Sequence, residues 1–204
     1  MAATVRKCKE HGVKIGAHPG YPDVQGFGRR EIQMDSEELT AMITYQVGAL
    51  KGFLDRENVP LHHVKPHGKL YGVMCRDYDV AKAAMLGIPK GIPVFGLAGT
   101  NMEKAAKELG IPFFAELYGD VKYSKDGMLV IDRVKKPWKA EDVRAHVRQQ
   151  LNSQSVTATD GSIVKLPLGD YPISVCCHSD SPGCMEIIRT TKTVIDEFNQ
   201  KHSR

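Results

Sequence analysis

The sequence predicts an α/β fold in which a parallel sheet is covered by helices. Short apolar segments alternate with segments whose apolar residues recur at helical spacing, and five such strand–helix alternations follow one another along the chain. This alternation is typical of parallel sheets, because a helix returns the chain to the start of each next strand. The length of 204 residues suits one core, so we expect a single domain over residues 1–204.

The predicted helices have recognisable start and stop signals. Ser36 is a plausible N-cap for a helix that runs to about Arg56, with apolar residues at helical spacing along it. Thr100 is expected to cap a helix that ends at Gly110. We expect the remaining helices over residues 2–11, 70–86, 139–151 and 185–198.

The predicted strands are short apolar runs that end at glycine, proline or a polar residue. A small hairpin is expected over residues 123–133, with Gly127 in its turn, and a polar linker over residues 153–160. The five strands of the parallel sheet are expected at residues 13–17, 63–65, 93–98, 112–117 and 173–177.

Charge and hydropathy exclude two large classes of protein. The net charge of +4 is spread along the chain, so no stretch concentrates basic residues as a nucleic-acid binder does. No apolar run approaches the ~20 residues that span a bilayer, and the first residues lack the apolar core of a secretory signal. Five cysteines, two of them adjacent, are typical of reduced thiols. We therefore expect a cytoplasmic protein that binds neither nucleic acid nor membranes.

Ionisable residues follow four of the predicted strands at the point where each strand ends. In parallel α/β folds these ends share one face, where active sites lie. Four strands that each place such groups at this end are a specific signal for one shared concave pocket. We expect the pocket to be lined by His18, Lys65, His67, Asp120 and His178, with Glu116 and Asp180 at the same strand ends.

Several of these residues also have a simpler structural interpretation. His18 lies in a His-Pro-Gly turn that it would cap, although we place a functional role slightly ahead. Asp180 by itself is a more natural cap for the last helix than a chemical group. Arg29 and Arg30 would bind an anion, but paired surface arginines are more often solvated.

The sequence contains none of three common catalytic signatures. It has no GxxxxGK[ST] loop for ATP, no GxSxG and no HExxH. Histidine and aspartate at the strand ends are acceptable ligands for Zn²⁺ or Mn²⁺, which leaves a metal-dependent deacetylase or hydrolase as an alternative. The residues concerned are His18, His67, Asp120, His178 and Asp180.

Four segments, in this order, resemble the signatures of the LamB/YcsF family. They are IGAHPGYPDVQGFGRR at residues 15–30, HVKPHGKLY at 63–71, AELYGDVKY at 115–123 and CCHSDSPG at 176–183. Val121 stands where the family pattern has Arg, and Ser179 stands where it has Gly.

The resemblance implies a (β/α)7 barrel of the glycoside hydrolase/deacetylase type and an amidohydrolase like the A-type subunit of 5-oxoprolinase. It implies ATP-dependent ring opening of 5-oxoproline or a related lactam to glutamate. ATP would be handled together with partner subunits of the B and C type found in bacterial systems, and a divalent metal stays open as a further cofactor. The expected catalytic residues are Lys65, His67, Asp120 and His178, and the expected substrate-binding residues are His18, Tyr21, Arg29, Arg30, Glu116 and Asp180.

The chemistry of lactam opening suggests roles for some of these groups. The reaction needs an activated carbonyl, a positioned water and a proton for the leaving nitrogen. Lys65 is suited to stabilise an oxyanion or a phosphate. His67, Asp120 or His178 would serve as general base or acid, and the sequence leaves open which of them takes which role.

Members of the family begin with two strands that precede the segment matched by Met1. The first carries D-x-N-x-D and the second ends in a C-G-F-H-x-G-D type segment, and neither motif occurs here. We therefore expect an incomplete barrel in which the strand at Ile15 has one unpaired side. We also expect the chain as it stands not to open 5-oxoproline, so a non-catalytic homologue is the alternative outside enzymes.

Overall fold

The computed structural model describes residues 1–132 and 134–202 and confirms the predicted α/β class. The chain divides into two compact units, Met1–Ala115 and the residues from Glu116 onward. Its main sheet has five strands, the number that a seven-stranded barrel without its first two strands retains. No helix within the described ranges is long and apolar enough to cross a membrane.

The first unit carries the parallel part of the sheet, in which each strand pairs with the next one along the chain. Parallel pairing brings the carboxyl ends of these strands to one edge. The strand at Ile15 is the end strand of the order, as expected. The strands are β1 (Ile15–Ala17), β2 (Leu61–Val64), β3 (Val94–Gly96) and the first half of β4 (Phe113–Tyr118).

Two helix boundaries in this unit differ from the prediction. Asp35, not Ser36, is the N-cap of the long helix: its carboxylate accepts a 2.8 Å hydrogen bond from the N–H of Glu38. The single helix expected over residues 70–86 is two helices, because Asp77 has an extended backbone and caps the second one. An aspartate side chain competes with the helix for backbone N–H groups, which the apolar periodicity does not reveal. The helices are α1 (Ala2–Glu10), α2 (Ser36–Arg56), α3 (Gly68–Arg76), α4 (Tyr78–Leu86) and α5 (Asn101–Leu109).

Helix α2 packs one apolar stripe into the core of the first unit. The hydroxyl of Thr40 donates a 2.7 Å hydrogen bond to the carbonyl oxygen of Ala83, which joins α2 to α4. Residues three, four or seven positions apart lie on one face of a helix, as a buried stripe requires. The residues of this stripe are almost fully buried: Leu39, Ile43, Val47 and Leu54.

The second unit contains the rest of β4, one further strand of the main sheet, two helices and two hairpins. The hairpin predicted around Gly127 is confirmed. The polar linker predicted over residues 153–160 is wrong, because Ser155 and Val156 are buried in a strand of the second hairpin. The elements are β5 (Lys122–Tyr123), β6 (Leu129–Val130), α6 (Ala140–Ser153), β7 (Ser155–Thr157), β8 (Ile163–Lys165), β9 (Ile173–Cys176) and α7 (Cys184–His202), and the sheet order is β1-β2-β3-β4-β9.

A fully buried amide, Gln150 of α6, ties the helix to the end of β4. Its Oε1 accepts hydrogen bonds from the N–H of Tyr118 at 3.2 Å and from the hydroxyl of Tyr123 at 3.0 Å. Its Nε2 donates to the carbonyl oxygen of Tyr118 at 2.9 Å. One side chain therefore satisfies three buried polar groups at the strand end that precedes Asp120.

Replacing this amide should destabilise the second unit strongly. In Gln150→Leu the shape is nearly kept, but three buried polar groups lose a partner, and each such loss costs ~1–3 kcal/mol. We expect the free energy of unfolding to fall by about 3 kcal/mol or more, measured by urea titration. Gln149→Leu is the control, since the amide oxygen of Gln149 accepts an exposed hydrogen bond from the hydroxyl of Thr157. Equal losses in the two variants would contradict this account.

Candidate functional site

His18 and His67 meet directly beyond the ends of β1 and β2. Nε2 of His18 lies 2.8 Å from Nδ1 of His67. Nδ1 of His18 lies 2.6 Å from the carbonyl oxygen of Lys65, and Nε2 of His67 lies 2.7 Å from the carbonyl oxygen of Phe27. The four ring nitrogens therefore form one chain of hydrogen bonds that begins and ends on a backbone carbonyl.

This chain of hydrogen bonds fixes how many protons the ring nitrogens of the histidine pair, His18 and His67, carry. A carbonyl oxygen only accepts, so the outer nitrogen of each ring must carry a proton. The hydrogen bond between the two inner nitrogens needs a third proton, so the four nitrogens carry three protons in all. Two neutral imidazoles carry only two such protons. The arrangement is thus complete when the histidine pair holds one positive charge.

The loop between β1 and α2 encloses His67. The amide of Gln46, on α2, accepts from the N–H of Gly20 at 3.1 Å and donates to its carbonyl oxygen at 2.7 Å. Phe27, in the left-handed region at φ 55°, packs edge-on against the His67 ring with 5.1 Å between centroids. At Gly28, with φ 67°, an added Cβ would lie 2.8 Å from Cδ2 of His67. Both the backbone and the close approach therefore require glycine there.

The second half of the same loop is held by a buried carboxylate. Asp23 accepts hydrogen bonds from the N–H of Gly26 at 2.9 Å, from the N–H of Arg30 at 3.2 Å and from the Arg30 guanidinium. The guanidinium of Arg30 lowers the pKa of Asp23 from 3.8 to about 2. A lowered carboxyl pKa stabilises the fold above about pH 4, and the effect is lost as the pH falls toward 2. Arg30, expected to bind substrate, is engaged in this ion pair.

The other residues predicted in the first unit lie around this loop. Nζ of Lys65 lies 5.1 Å from the centre of the Tyr71 ring, and the guanidinium carbon of Arg29 lies 5.2 Å from that of Phe27. Both are cation–π contacts. Tyr21 is buried, and burial raises the pKa of its hydroxyl.

Two further histidines in contact, His62 and His63 on β2, were not predicted from the sequence. Their Nδ1 atoms are 2.9 Å apart, and the His63 ring stacks on Phe95 with 3.9 Å between centroids. Burial lowers the pKa of both rings, to about 4 for His63, with added effects of neighbouring positive groups. These rings are therefore neutral at pH 7. Because both lie within a strand, no strand-end signal singled them out.

In the second unit the buried carboxylate of Asp120 holds His178. Oδ1 of Asp120 lies 2.8 Å from Nδ1 of His178, and Oδ2 accepts from the backbone N–H of His178 at 3.1 Å and from the hydroxyl of Ser181. Burial raises the pKa of Asp120, but the hydrogen bonds from His178 and Ser181 outweigh it, and the pKa lies below its ordinary value. The ionised carboxylate accepts the Nδ1 proton. With that proton on Nδ1, Nε2 is the ring nitrogen that can accept, and it lies 4.0 Å from Sγ of Cys176.

Backbone contacts at the ends of β4 and β9 position these groups. The N–H of Gly119 donates to the carbonyl oxygen of Cys176 at 2.9 Å. An added Cβ at Gly119 would lie 2.8 Å from Oγ1 of Thr191 and 3.0 Å from Sγ of Cys177, so a larger residue would push the strand ends apart. Asp120 follows directly on this close contact.

Tyr118, which the sequence analysis did not single out, connects Glu116 to His178. The carboxylate of Glu116 is almost fully buried and accepts a 2.8 Å hydrogen bond from the Tyr118 hydroxyl. The Tyr118 ring lies nearly parallel to His178, with 6.1 Å between centroids. The sequence offered one signal for Tyr118, which is its position between the predicted residues Glu116 and Asp120.

Asp180 does not cap the last helix. Helix α7 begins at Cys184, and the Asp180 carboxylate forms a 2.6 Å ion pair with Nζ of Lys135. The same ammonium group lies 3.1 Å from the hydroxyl of Ser181. Asp180 thus joins the segment that leads into α7 to the segment before α6.

The predicted residues lie in two groups. His18, Lys65 and His67 are neighbours in the first unit, and Asp120 and His178 are neighbours in the second. That all five line one face stays a prediction. Across residues 1–132 and 134–202, no three or more histidine, cysteine, aspartate or glutamate side chains are grouped to hold a metal ion.

Comparison with protein families finds a match along nearly the whole chain. The model described as "LamB/YcsF family" matches residues 1–203. The protein named lactam utilization protein lamB of Emericella nidulans is 71% identical over 202 residues, which cover 99% of this chain and 80% of that protein. A protein of Thermus thermophilus, named as the A-type subunit of 5-oxoprolinase, is 38% identical over 199 residues, covering 95% of this chain and 78% of that one.

A solved structure is similar in fold as well as in sequence. The crystal structure of the lactam utilization protein from Thermus thermophilus superposes with a TM-score of 0.83 at 35% identity. The match covers 96% of this chain and 78% of that chain.

Placing a methyl group at Gly28 should disturb His67 in particular. We expect Gly28→Ala to lose stability both from backbone strain, ~1 kcal/mol, and from overpacking against the ring, ~1–3 kcal/mol. Gly91→Ala is the matched control, because Gly91 has a φ of 80° with nothing within 4 Å of an added Cβ. Urea unfolding of the two variants separates strain from contact. The account fails if Gly91→Ala costs as much as Gly28→Ala.

The proton count of the histidine pair can be read directly. In nitrogen-15 NMR spectra at pH 7 we expect three protonated nitrogens among the four of His18 and His67. His62 and His63 are the internal control, with two among four, since burial lowers their pKa. Two protonated nitrogens in the histidine pair at pH 7 would show that it is neutral.

Proposed function

Because the chain belongs to the LamB/YcsF family, we propose that it is a hydrolase that opens a lactam ring. The proposed substrate is 5-oxoproline, and the proposed product is glutamate. The names of two relatives support this choice: one is a lactam utilization protein and the other a subunit of 5-oxoprolinase.

The contact between Asp120 and His178 carries the proposal. Ring opening requires a group that first removes a proton from the attacking nucleophile and then gives one to the leaving nitrogen. The carboxylate of Asp120 holds Nδ1–H of His178 at 2.8 Å. Nε2 is therefore left to take the proton of the nucleophile and to pass it to the leaving nitrogen. The carboxylate also stabilises the imidazolium that forms, as in catalytic triads. His178 is therefore the proposed general base and acid, and Asp120 orients it.

For the first unit we propose a role in binding negative charge. The hydrogen bonds of the histidine pair are complete when it carries one positive charge, and Lys65 supplies a further cation. Both nitrogens of His67 are already engaged in hydrogen bonds, which favours electrostatic stabilisation over proton transfer for this residue. The carboxylate of 5-oxoproline and a transferred phosphate are groups of the charge that such a region attracts.

We further propose that ATP drives the reaction with partner subunits of the B and C type. The sequence has no Walker-type phosphate loop of its own, and a relative is named as one subunit of a 5-oxoprolinase. A phosphoryl group on the lactam oxygen would make the ring carbon a better electrophile. None of the five cysteines, all of which lie within the described residues, forms a disulfide, which suits the cytoplasm as the proposed place of action.

Removing the negative charge behind His178 should stop the reaction without unfolding the protein. We expect Asp120→Asn to lower the rate of glutamate release by about 10²–10⁴-fold, because the amide no longer fixes the productive tautomer. The assay supplies 5-oxoproline, ATP and partner subunits of the B and C type. Asp160→Asn is the control, as the carboxylate of Asp160 accepts its hydrogen bonds from Ser162 in an exposed turn.

Two outcomes would contradict the proposal. One is a protein that releases no glutamate in the complete mixture, which would bear out the inactivity expected from the two missing motifs and favour the non-catalytic homologue. The other is an Asp120→Asn variant that keeps most of its activity. Circular dichroism of each variant shows whether the fold is intact.

A further inference from the structure

The thiol of Cys176 lies beside the acceptor nitrogen of His178. Sγ of Cys176 is 4.0 Å from Nε2 of His178, and Nδ1 of the same ring is 2.8 Å from Oδ1 of Asp120. The order is thiol, imidazole, buried carboxylate. In such an order the base takes the proton of the nucleophile while the third group orients the base.

The neighbouring cysteine shows what an inactive thiol looks like in this segment. Sγ of Cys177 lies 3.4 Å from the hydroxyl of Thr191, and burial raises the pKa of this thiol. A thiol with a raised pKa stays protonated and is a poor nucleophile. Cys176 is half-buried like Cys177, and it differs because a histidine base lies next to its thiol.

We propose that Cys176 is the nucleophile of the ring-opening reaction and that the reaction passes through a thioester. The inference deepens the function proposed above and rests on it for the identity of the substrate. Nε2 of His178 takes the proton from Sγ of Cys176, and the thiolate attacks the lactam carbonyl carbon. A carbon–sulfur bond forms, the ring carbon–nitrogen bond breaks, and the leaving nitrogen takes the proton from His178.

Water completes the cycle. Nε2 of His178 removes a proton from water, and the resulting hydroxide attacks the thioester carbon. The carbon–sulfur bond breaks, the sulfur recovers its proton from His178, and glutamate leaves with both carboxyl groups. Where ATP has phosphorylated the carbonyl oxygen, the sulfur adds to the same carbon. As the ring carbon–nitrogen bond breaks, the phosphorus–oxygen bond also breaks, water takes the phosphoryl group as inorganic phosphate, and the oxygen remains as the thioester carbonyl.

The reactivity of the thiol tests the proposal without any need for turnover. The intact protein is treated with iodoacetamide from pH 5 to pH 9, and alkylation at each cysteine is followed by peptide mass spectrometry. We expect Cys176 to react at least about tenfold faster than Cys177 and Cys184 at pH 7, since His178 makes the thiolate available. His178→Gln should abolish this advantage and leave the rate at Cys184 unchanged. Equal rates at Cys176 and Cys184, or no effect of His178→Gln, would overturn the proposal.

A second experiment measures glutamate release and traps the covalent intermediate. Cys176→Ala should lose glutamate release, whereas Cys184→Ala should keep it. Acid quenching of the wild-type reaction should show a glutamyl adduct on Cys176 that hydroxylamine removes. If Cys176→Ala releases glutamate at the normal rate, the nucleophile proposal fails and the lactam hydrolase proposal stands. If the wild-type protein releases none although Cys176 is activated by His178, the substrate assignment fails instead.

Discussion

Backbone hydrogen bonds at the ends of neighbouring strands position the two groups of functional side chains, His18 with His67 and Asp120 with His178. In the first unit the N–H of Lys65 donates to the carbonyl oxygen of Ala17 at 2.9 Å, which continues the β1–β2 pairing beyond the strands themselves. In the second unit the N–H of Gly119 plays the same part with Cys176. The side chains that do chemistry follow within a few residues of these bonds. Their spacing is therefore set by the sheet rather than by flexible loops.

The strand-end pattern explains how much the sequence could predict. The α/β class and the pairing of His18 with His67 follow from it, because parallel strands bring their ends to one edge. The link between Asp120 and His178 follows for the same reason. Asp35 and Asp77 were missed because each depends on a side chain that competes with the backbone for N–H groups. β7 was missed because a polar stretch gives no sign that Ser155 and Val156 are both buried. His62 and His63 lie inside a strand, where the strand-end rule gives no signal, whereas Tyr118 was missed although it is the last residue of β4.

Histidines of this protein hold different charges because their acceptors differ. His18 and His67 end on carbonyl oxygens, which can only accept, and so an extra proton completes their hydrogen bonds. Burial lowers the pKa of His62 and His63 and keeps both rings neutral. His178 faces a carboxylate, which fixes its tautomer. Charge at these sites therefore depends on the surroundings of each ring, and residue type alone does not reveal it.

The two hydrogen bonds between the Gln46 amide and the Gly20 backbone matter for anyone who would transplant the loop between β1 and α2 into another protein. The two hydrogen bonds connect the loop to the middle of α2, many residues away in sequence. A designer who moved only the segment that follows β1 would leave behind the amide that sets its entry angle. The portable module is the loop together with α2, and position 46 belongs to it as much as the histidines do.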